Sequence, residues 1–250
     1  EDTRQTDFSA ATIAGGDVRV GLLQLELGIF DEWTIGTYTY PWILPLITHS
    51  PAGNLYTKVR LFELDRFSMA ASGGVFLVSV DDFDSKKIGN SALAMTVLPL
   101  HLVGTYEPAP PWRFSLEATW VQTFLLGDWQ STKHRTATGF IAGSGFQLAA
   151  VAEYQLSPIV GLHLLARIAP YSSPAHVVAD IDVDTQTSAF VDVDVWTEQT
   201  PWLIQPGVHL AWQPLHVRIG VGYGSLFLPG LSLMTLENLP VPDFDLYFVF

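Results

Sequence analysis

Apolar and polar residues alternate along much of the chain with a period of two, which is the period of a β-strand. Between residues 112 and 120 the even positions are apolar, with Trp112 and Trp120 at the two ends, and the odd positions are polar. The alternation recurs at four further places, less regularly in the last two: 202–212, 215–223, 140–154 and 162–168. The pattern predicts strands with one apolar face and one polar face.

The C-terminal residues form the most apolar of these predicted strands. Four side chains share one of its faces: Phe244, Leu246, Phe248 and Phe250. In water, an apolar strand with an open edge promotes aggregation. In a closed membrane barrel the same strand pairs on both sides and its apolar face meets hydrocarbon. The segment therefore favours a strand that lies against lipid.

Composition indicates a membrane protein that crosses the bilayer with strands. Hydrophobic residues make up 48% and charged residues 15% of the chain, and the mean hydropathy is +0.27. A spanning helix needs about 18 apolar residues in a row, and the best candidate, 92–100, is interrupted by Pro99. We therefore predict an all-β protein, a transmembrane antiparallel up-and-down β-barrel. Residues 1–250 form its single domain, with a short periplasmic segment at 1–6 as an option.

Turn signals divide the chain into eleven candidate strands. They span 16–28, 33–45, 54–64, 68–80, 91–106, 112–127, 138–156, 159–184, 188–212, 215–227 and 243–250. Bacterial single-chain barrels have an even number of strands. A short strand over Asp7–Ile13 brings the prediction to twelve, and a barrel of ten strands is the alternative.

The predicted connections are of two kinds. Short turns are expected at 28–33, 64–67, 107–111, 155–158 and 212–215, and longer polar segments at 48–54, 81–90, 127–138, 185–188 and 228–243. Short periplasmic turns and longer extracellular loops are typical of bacterial membrane barrels. The two strands that flank 185–188 are longer than a bilayer requires, so this hairpin is expected to project into the medium.

The terminal strand that ends at Phe250 resembles the C-terminal signature of Gram-negative outer-membrane β-barrel proteins, and residues 26–36 are similar to a strand-turn-strand element of such barrels. The resemblance implies a bacterial outer-membrane location, a periplasmic C-terminus, contact with outer-membrane lipid and insertion by the barrel-assembly machinery. That machinery would read the apolar face of the last strand: Phe244, Leu246, Phe248 and Phe250. An activity does not follow, because one fold hosts many functions.

Charge and chemistry narrow the classes of partner. A net charge of −13 disfavours nucleic acid, and the absence of cysteine excludes disulfides and thiolate metal sites. We predict no cofactor. One predicted hairpin is strongly acidic, with Asp180, Asp182, Asp184, Asp192 and Asp194. Its carboxylates would gather and suit Ca²⁺ if Asp182 pairs with Asp192. The alternative, which we favour, is a solvated negative tip.

The spacing of histidine and serine argues against a barrel hydrolase. Such an enzyme needs a histidine within reach of a nucleophilic serine. No histidine has a serine two residues further on: His101, His163, His176, His209 and His216 are followed there by other residue types. We therefore expect that the protein is not an enzyme.

Polar residues on the inward phase of the strands are the candidates for a functional lumen. They are Lys58, Arg60, Arg113, Glu117, Glu153, His163, Arg167, His209, His216 and Arg218. They could line a water-filled path, or they could pair with one another and fill a narrow barrel. The first reading predicts a small passive, porin-like channel. The second predicts a structural or interaction subunit of an envelope complex.

Overall fold

The computed structural model describes residues 7–42, 52–81, 90–131, 135–172, 175–184, 187–195, 200–225 and 239–250. These residues form fourteen antiparallel strands. In chain order they are β1 Val18–Gly21, β2 Gln24–Phe30, β3 Trp33–Tyr38, β4 Ala52–Leu64, β5 Phe67–Asp81, β6 Asn90–Tyr106, β7 Trp112–Ser131, β8 Arg135–Gln155, β9 Val160–Ser172, β10 Ala175–Asp184, β11 Thr187–Val195, β12 Trp202–Trp212, β13 Leu215–Gly224 and β14 Leu239–Val249. Within the described ranges, no helix has the length and apolar character of a membrane span.

Twelve of the strands close into a barrel, which confirms the predicted fold class and strand number. Strands β1 to β9 follow one another around the wall, β9 pairs with β12, and β14 returns to pair with β1. The carbonyl of Phe250 accepts a hydrogen bond from the amide of Val18 at 3.0 Å, so the two ends of the wall meet. Closure gives every wall strand a paired neighbour on both sides along at least part of its length, as a spanning sheet requires.

The count of twelve is right, but four strand assignments behind it are wrong. Asp7–Ile13 is not a strand. The predicted span 16–28 is two strands, β1 and β2, which meet at an apolar turn over Leu22 and Leu23. The turn escapes a composition-based search because it lies within the wall, where the amide of Leu22 donates to the carbonyl of Leu246 at 3.0 Å.

The two longest predicted strands each contain a wall strand and a hairpin strand. The span 159–184 divides into β9 and β10, and the span 188–212 divides into β11 and β12. Strand β10 pairs with residues 136–142 of β8, beyond the section of β8 that pairs with β9. The β10–β11 hairpin is therefore an extension of β8 beyond the closed wall. Its period-two pattern runs on from the wall strands, which explains why the sequence pattern merged them.

The connections give the barrel two unlike rims. The short-turn rim carries the turns at 31–32, 65–66, 107–111, 156–159 and 213–214 together with Val18 and Phe250. At the opposite rim, the long-connection rim, β3 is joined to β4, β5 to β6, β7 to β8 and β13 to β14, and the β10–β11 hairpin extends from it. One predicted long loop, 127–138, is mostly strand, because β7 continues to Ser131 and β8 begins at Arg135.

Side chains alternate between the inside and the outside of the wall as the pattern predicts. On β7, Leu116 is 68% exposed, whereas its neighbour Ser115 and the nearby Arg113 are buried. Trp112 and Trp120 lie on the outer phase of the same strand. The outer surface is thus apolar and the polar side chains are enclosed, as in a barrel whose outer face contacts lipid.

The substitution Leu116→Arg is expected to destabilise the barrel by about 2–4 kcal/mol if this site lies near the middle of the bilayer. A guanidinium there would have to leave water for hydrocarbon. The free energy of unfolding in lipid vesicles, followed by tryptophan fluorescence in urea, measures the effect. Leu156→Arg in the short turn after β8 is the matched control, and an equal loss in both variants would contradict a lipid-facing Leu116.

Candidate binding cavity in the lumen

The described N-terminal residues lie inside the barrel rather than in its wall. The amide of Ile13 donates to Thr34 Oγ1 at 2.9 Å, and the amide of Ala10 donates to Thr105 Oγ1 at 2.8 Å. Ala10 is fully buried against inward-facing residues of β5 and β6, namely Ala70 and Val103. Residues 7–14 therefore form an internal segment that follows the inner wall.

Gly28 allows this segment to enter at the short-turn rim. A Cβ atom at Gly28 would lie 1.9 Å from the carbonyl oxygen of Ala14, which leaves no space for any side chain. The amide of Gly28 donates to the carbonyl of Asp17 at 2.9 Å, and the amide of Gly16 donates to the carbonyl of Gly28 at 2.8 Å. The glycine thus fixes where the chain turns from the lumen into β1.

Asp7 ties the inner end of the segment to two buried arginines. Its carboxylate pairs with Arg19 of β1 and with Arg218 of β13, and it accepts a hydrogen bond from Gln24 Nε2 at 2.6 Å. Burial alone would raise the pKa of Asp7, but the two guanidinium groups outweigh it and hold the pKa well below its usual range. The carboxylate is therefore ionised across the pH range in which proteins are normally stable.

Phe8 makes the apolar contact of the same attachment. Its ring packs against a cluster of inward-facing apolar residues on β8, β9, β12 and β14, and the Arg218 guanidinium carbon lies 5.0 Å from the ring centroid. The members of the cluster are Ala149, Val151, Leu165, Leu203 and Val241. One ion-paired residue and one apolar residue thus hold the segment against neighbouring strands of the wall.

Ion pairs fill much of the lumen around this segment. Arg19 is completely buried and contacts Glu26 Oε2 at 3.2 Å and Asp245 Oδ2 at 2.8 Å, with its guanidinium carbon 3.7 Å from the centroid of the Tyr247 ring. Arg218 Nε lies 3.0 Å from Asp243 Oδ2. Opposite charges that pair inside a barrel avoid the cost of an isolated buried charge.

Above the segment lies a cavity of about 290 Å³. One wall is aromatic, with Tyr38 and Tyr40, and the other is aliphatic, with Leu165, Leu203 and Val241. Tyr38 stacks on Phe76 with ring centroids 5.5 Å apart. The polar side chains that reach the cavity include Gln24, Glu26, Lys58, Arg167, Gln205 and Arg218. A mostly apolar pocket with a few polar groups is the usual form of a small-molecule site.

The predicted lumen residues divide among three places. Four of them line the cavity: Lys58, Glu117, Arg167 and Arg218. Four others line a void of about 10 Å³ nearer the short-turn rim: Arg113, Glu153, His163 and His209. His216 Nδ1 lies 3.3 Å from His209 Nε2, next to this void. Arg60 is elsewhere: at the short-turn rim it contacts Glu63 at 2.9 Å and Glu32 at 3.8 Å.

Several cavity residues were not among the sequence candidates. Tyr38 and Tyr56 lie on inward positions, but they are aromatic, and the search took only polar inward residues. Asp7 and Phe8 were assigned to a strand. Glu26 is on the inward phase of β2, so the same alternation could have found it. In the structure, Tyr56 Oη donates to Glu26 Oε1 at 2.7 Å.

The observed register of the acidic hairpin does not pair Asp182 with Asp192. Asp182 pairs with Ser188, and Asp192 pairs with Val178. Asp192 is exposed, and its Oδ1 lies 3.7 Å from His176 Nδ1. The side chains of Asp180, Asp182, Asp184 and Asp194 lie outside the described set, so a Ca²⁺ site on this hairpin stays a prediction.

The apolar residues of the last strand lie on its outer face. Phe244 is 48% and Phe250 68% exposed, and the rings of Phe248 and Phe250 stack with centroids 6.0 Å apart. Leu246 shares this phase. The proposed reading of these residues by the assembly machinery stays a prediction.

Comparison with known proteins finds a distant likeness in structure and none in sequence. No family model and no curated protein matches the chain in sequence. Three solved structures resemble it: the ferric yersiniabactin uptake receptor FyuA from Yersinia pestis (12% identity, 93% of this chain and 42% of that one, TM-score 0.45), the outer-membrane expressed OmpT of Vibrio cholerae (10%, 90% and 62%, 0.38) and the toluene transporter TodX of P. putida (11%, 93% and 86%, 0.39). The chain thus spans less than two thirds of the first two.

Sequence identities this low do not indicate a shared activity. The matched structures are all outer-membrane β-barrel proteins. The closed twelve-strand wall and its apolar outer surface give this chain the architecture of a transmembrane β-barrel.

Proposed function

We propose that the barrel binds a small, largely apolar molecule with one uncharged polar end and lets it pass across the outer membrane. The cavity of about 290 Å³ carries the proposal. Its tyrosines and aliphatic side chains suit an apolar or aromatic body. The short-turn rim and the C-terminus face the periplasm in this proposal, because short turns are periplasmic in bacterial barrels.

The polar end of the ligand is uncharged because the charged groups around the cavity already have partners. Lys58 Nζ donates to the carbonyl of Ser9 at 2.7 Å, and Arg218 pairs with Asp7 and Asp243. A charged ligand would have to break these pairs, which costs more than a new hydrogen bond returns. A hydroxyl or amide can instead bond to Gln24 or Gln205, which also reach the cavity.

The N-terminal segment makes this a gated path and not a permanently open pore. Residues 7–14 lie in the lumen between the cavity and the short-turn rim. A molecule that leaves toward the periplasm must displace them, whereas the wall strands need not move. The alternative, a structural subunit, is favoured by the ion pairs that fill the lumen, and it predicts that the cavity binds no small molecule.

Binding of the apolar fluorophore N-phenyl-1-naphthylamine tests the proposal. The protein is placed in nanodiscs whose lipids carry brominated acyl chains, which quench the probe in the lipid but not in the cavity. The residual fluorescence then reports cavity-bound probe. The protein as it stands is expected to give a saturable signal, and empty discs none. No saturable signal would support the structural alternative.

The substitution Ser72→Trp is expected to weaken this binding by about tenfold or more, or 1.4 kcal/mol. Ser72 is an inward residue of β5 that lines the cavity, so an indole there takes up ligand volume without removing an existing contact. Thr123→Trp on β7, at an inward position away from the cavity lining, is the control. Equal binding by both variants would place the probe elsewhere.

A further inference from the structure

The wall of the barrel is lower at β1 and β2 than elsewhere. Strand β1 pairs with β14 at Tyr247, Phe248 and Val249, and the last backbone hydrogen bond between them runs from Leu22 to Leu246. Beyond it, the amide of Leu23 donates to Asp245 Oδ1 at 3.3 Å. Strand β14 continues to Leu239 and pairs with β13 along this whole length. Among the described residues, no strand pairs with the other edge of β14 over 239–245.

The far side of this interruption is the end of β3 and the turn after it. The amide of Thr39 donates to the carbonyl of Leu23 at 2.9 Å, which places residues 39–42 directly above the β1–β2 turn. Trp42 is half exposed there and packs over Gly53 of β4. We call the space between β14 residues 239–245, Leu22–Leu23 and residues 39–42 the lateral notch.

Two prolines lie on β14 where the wall is interrupted. Pro240 pairs with Tyr223 and Pro242 with Val221 on the β13 side. Proline has no amide hydrogen to donate, so within sheets it is confined to strand starts, bulges and edges. Two of them at alternate positions leave this edge of β14 without those donors and disfavour its pairing with another strand.

The internal cavity reaches this notch. The strand residues that line the cavity are on the inward phase, with two exceptions on β14, Pro242 and Phe244. Both are exposed on the outer surface, and they line the cavity together with Leu23 and Tyr40. The cavity thus extends to the edge of β14 that no described strand covers.

The notch lies at the depth of the hydrocarbon. Pro242 is eight residues from Phe250, which corresponds to a height of about 20 Å above the short-turn rim for a strand rise of about 3.4 Å and a tilt of about 40°. The apolar band of such barrels is about 25 Å tall. With the short-turn rim in the periplasm, the notch faces the outer leaflet.

We propose that the lateral notch is a passage through which a small apolar molecule moves between the outer leaflet and the cavity. The proposal rests on the ligand class proposed above. An apolar solute concentrates in the bilayer, so a sideways route spares it a transfer back into water. The rim of the passage suits such a solute, since Pro240, Pro242 and Phe244 present apolar surface.

Reversible blocking of the notch tests the proposal, and the cysteine-free chain makes it simple. Pro240→Cys is modified with benzyl methanethiosulfonate, and Ile204→Cys is the control. Pro240 lies on the β14 edge of the notch and is not part of the cavity lining. Ile204 is an outward residue of β12, 50% exposed, and it lies level with Pro240 two strands away, because Tyr223 of β13 pairs with both. The brominated nanodiscs are mixed with vesicles loaded with N-phenyl-1-naphthylamine, and stopped-flow fluorescence gives the rate and the final amplitude of cavity binding.

Modification at position 240 is expected to slow the rate by about tenfold or more, as a raised barrier requires, with the amplitude unchanged. Reductant should restore the rate, and modification at position 204 should leave it unaffected. Equal rates for both modified variants, with the amplitude intact, would overturn the lateral passage and leave the binding function standing. No amplitude in the protein without substitutions would overturn both proposals.

Discussion

Removal of residues 1–13 is expected to convert the closed barrel into an open pore. The deleted residues include Asp7 and Phe8, which attach the internal segment to Arg218 and to the aliphatic cluster, and Ala10, which packs on the inner wall. None of the described residues among them, 7–13, belongs to a wall strand. Refolded into planar bilayers, the shortened chain should show stepwise conductance about tenfold or more above that of the full chain, because water and ions then occupy the vacated lumen.

Removal of residues 1–6 alone is the matched control for this experiment. It shortens the same terminus but leaves Asp7 and every described contact of the internal segment in place, so the conductance should stay at the level of the full chain. If the chain lacking residues 1–13 remains non-conducting while its gel mobility still shifts on heating, as folded barrels do, the segment is not the plug. The ion-paired side chains themselves would then close the lumen, which favours the structural alternative.

The architecture follows from local pattern because each wall strand meets lipid on one side and the lumen on the other. That requirement acts on every second residue, so Trp112 to Trp120 reveal a strand without any knowledge of its neighbours. The same reasoning failed at β1 and β2. Their turn, at Leu22 and Leu23, lies within the wall and needs no polar turn residues, so the sequence pattern runs straight through it.

The internal segment could not have been predicted from local pattern. The segment 7–13 is short, has no charged residue apart from Asp7, and has apolar residues at intervals. A β-strand can have the same features. What places them in the lumen is contact with distant parts of the chain. Asp7 meets Arg218, and Ala10 bonds to Thr105. The cavity was missed for a related reason, since Tyr38 and Tyr56 are inward residues whose aromatic character hides them among wall positions.

The substitution Arg19→Met is expected to lower the free energy of unfolding by about 3–5 kcal/mol, the usual cost of removing one partner from a buried ion pair. Methionine keeps part of the side-chain volume but leaves Glu26 and Asp245 in the lumen without their shared cation, and it removes the contact with the Tyr247 ring. Urea unfolding in lipid vesicles, followed by tryptophan fluorescence, measures the loss.

Arg60→Met is the matched control, because Arg60 also pairs with two carboxylates, those of Glu32 and Glu63, but at the exposed rim. Its loss should cost less than about 1 kcal/mol, since solvent screens such pairs. The double variant Arg19→Met with Asp245→Asn should recover part of the stability, because one of the unpaired negative charges is then gone. Equal effects of Arg19→Met and Arg60→Met would mean that the central network adds no stability. The interior of the barrel would then be stabilised by the packing of Phe8 and the aliphatic cluster alone.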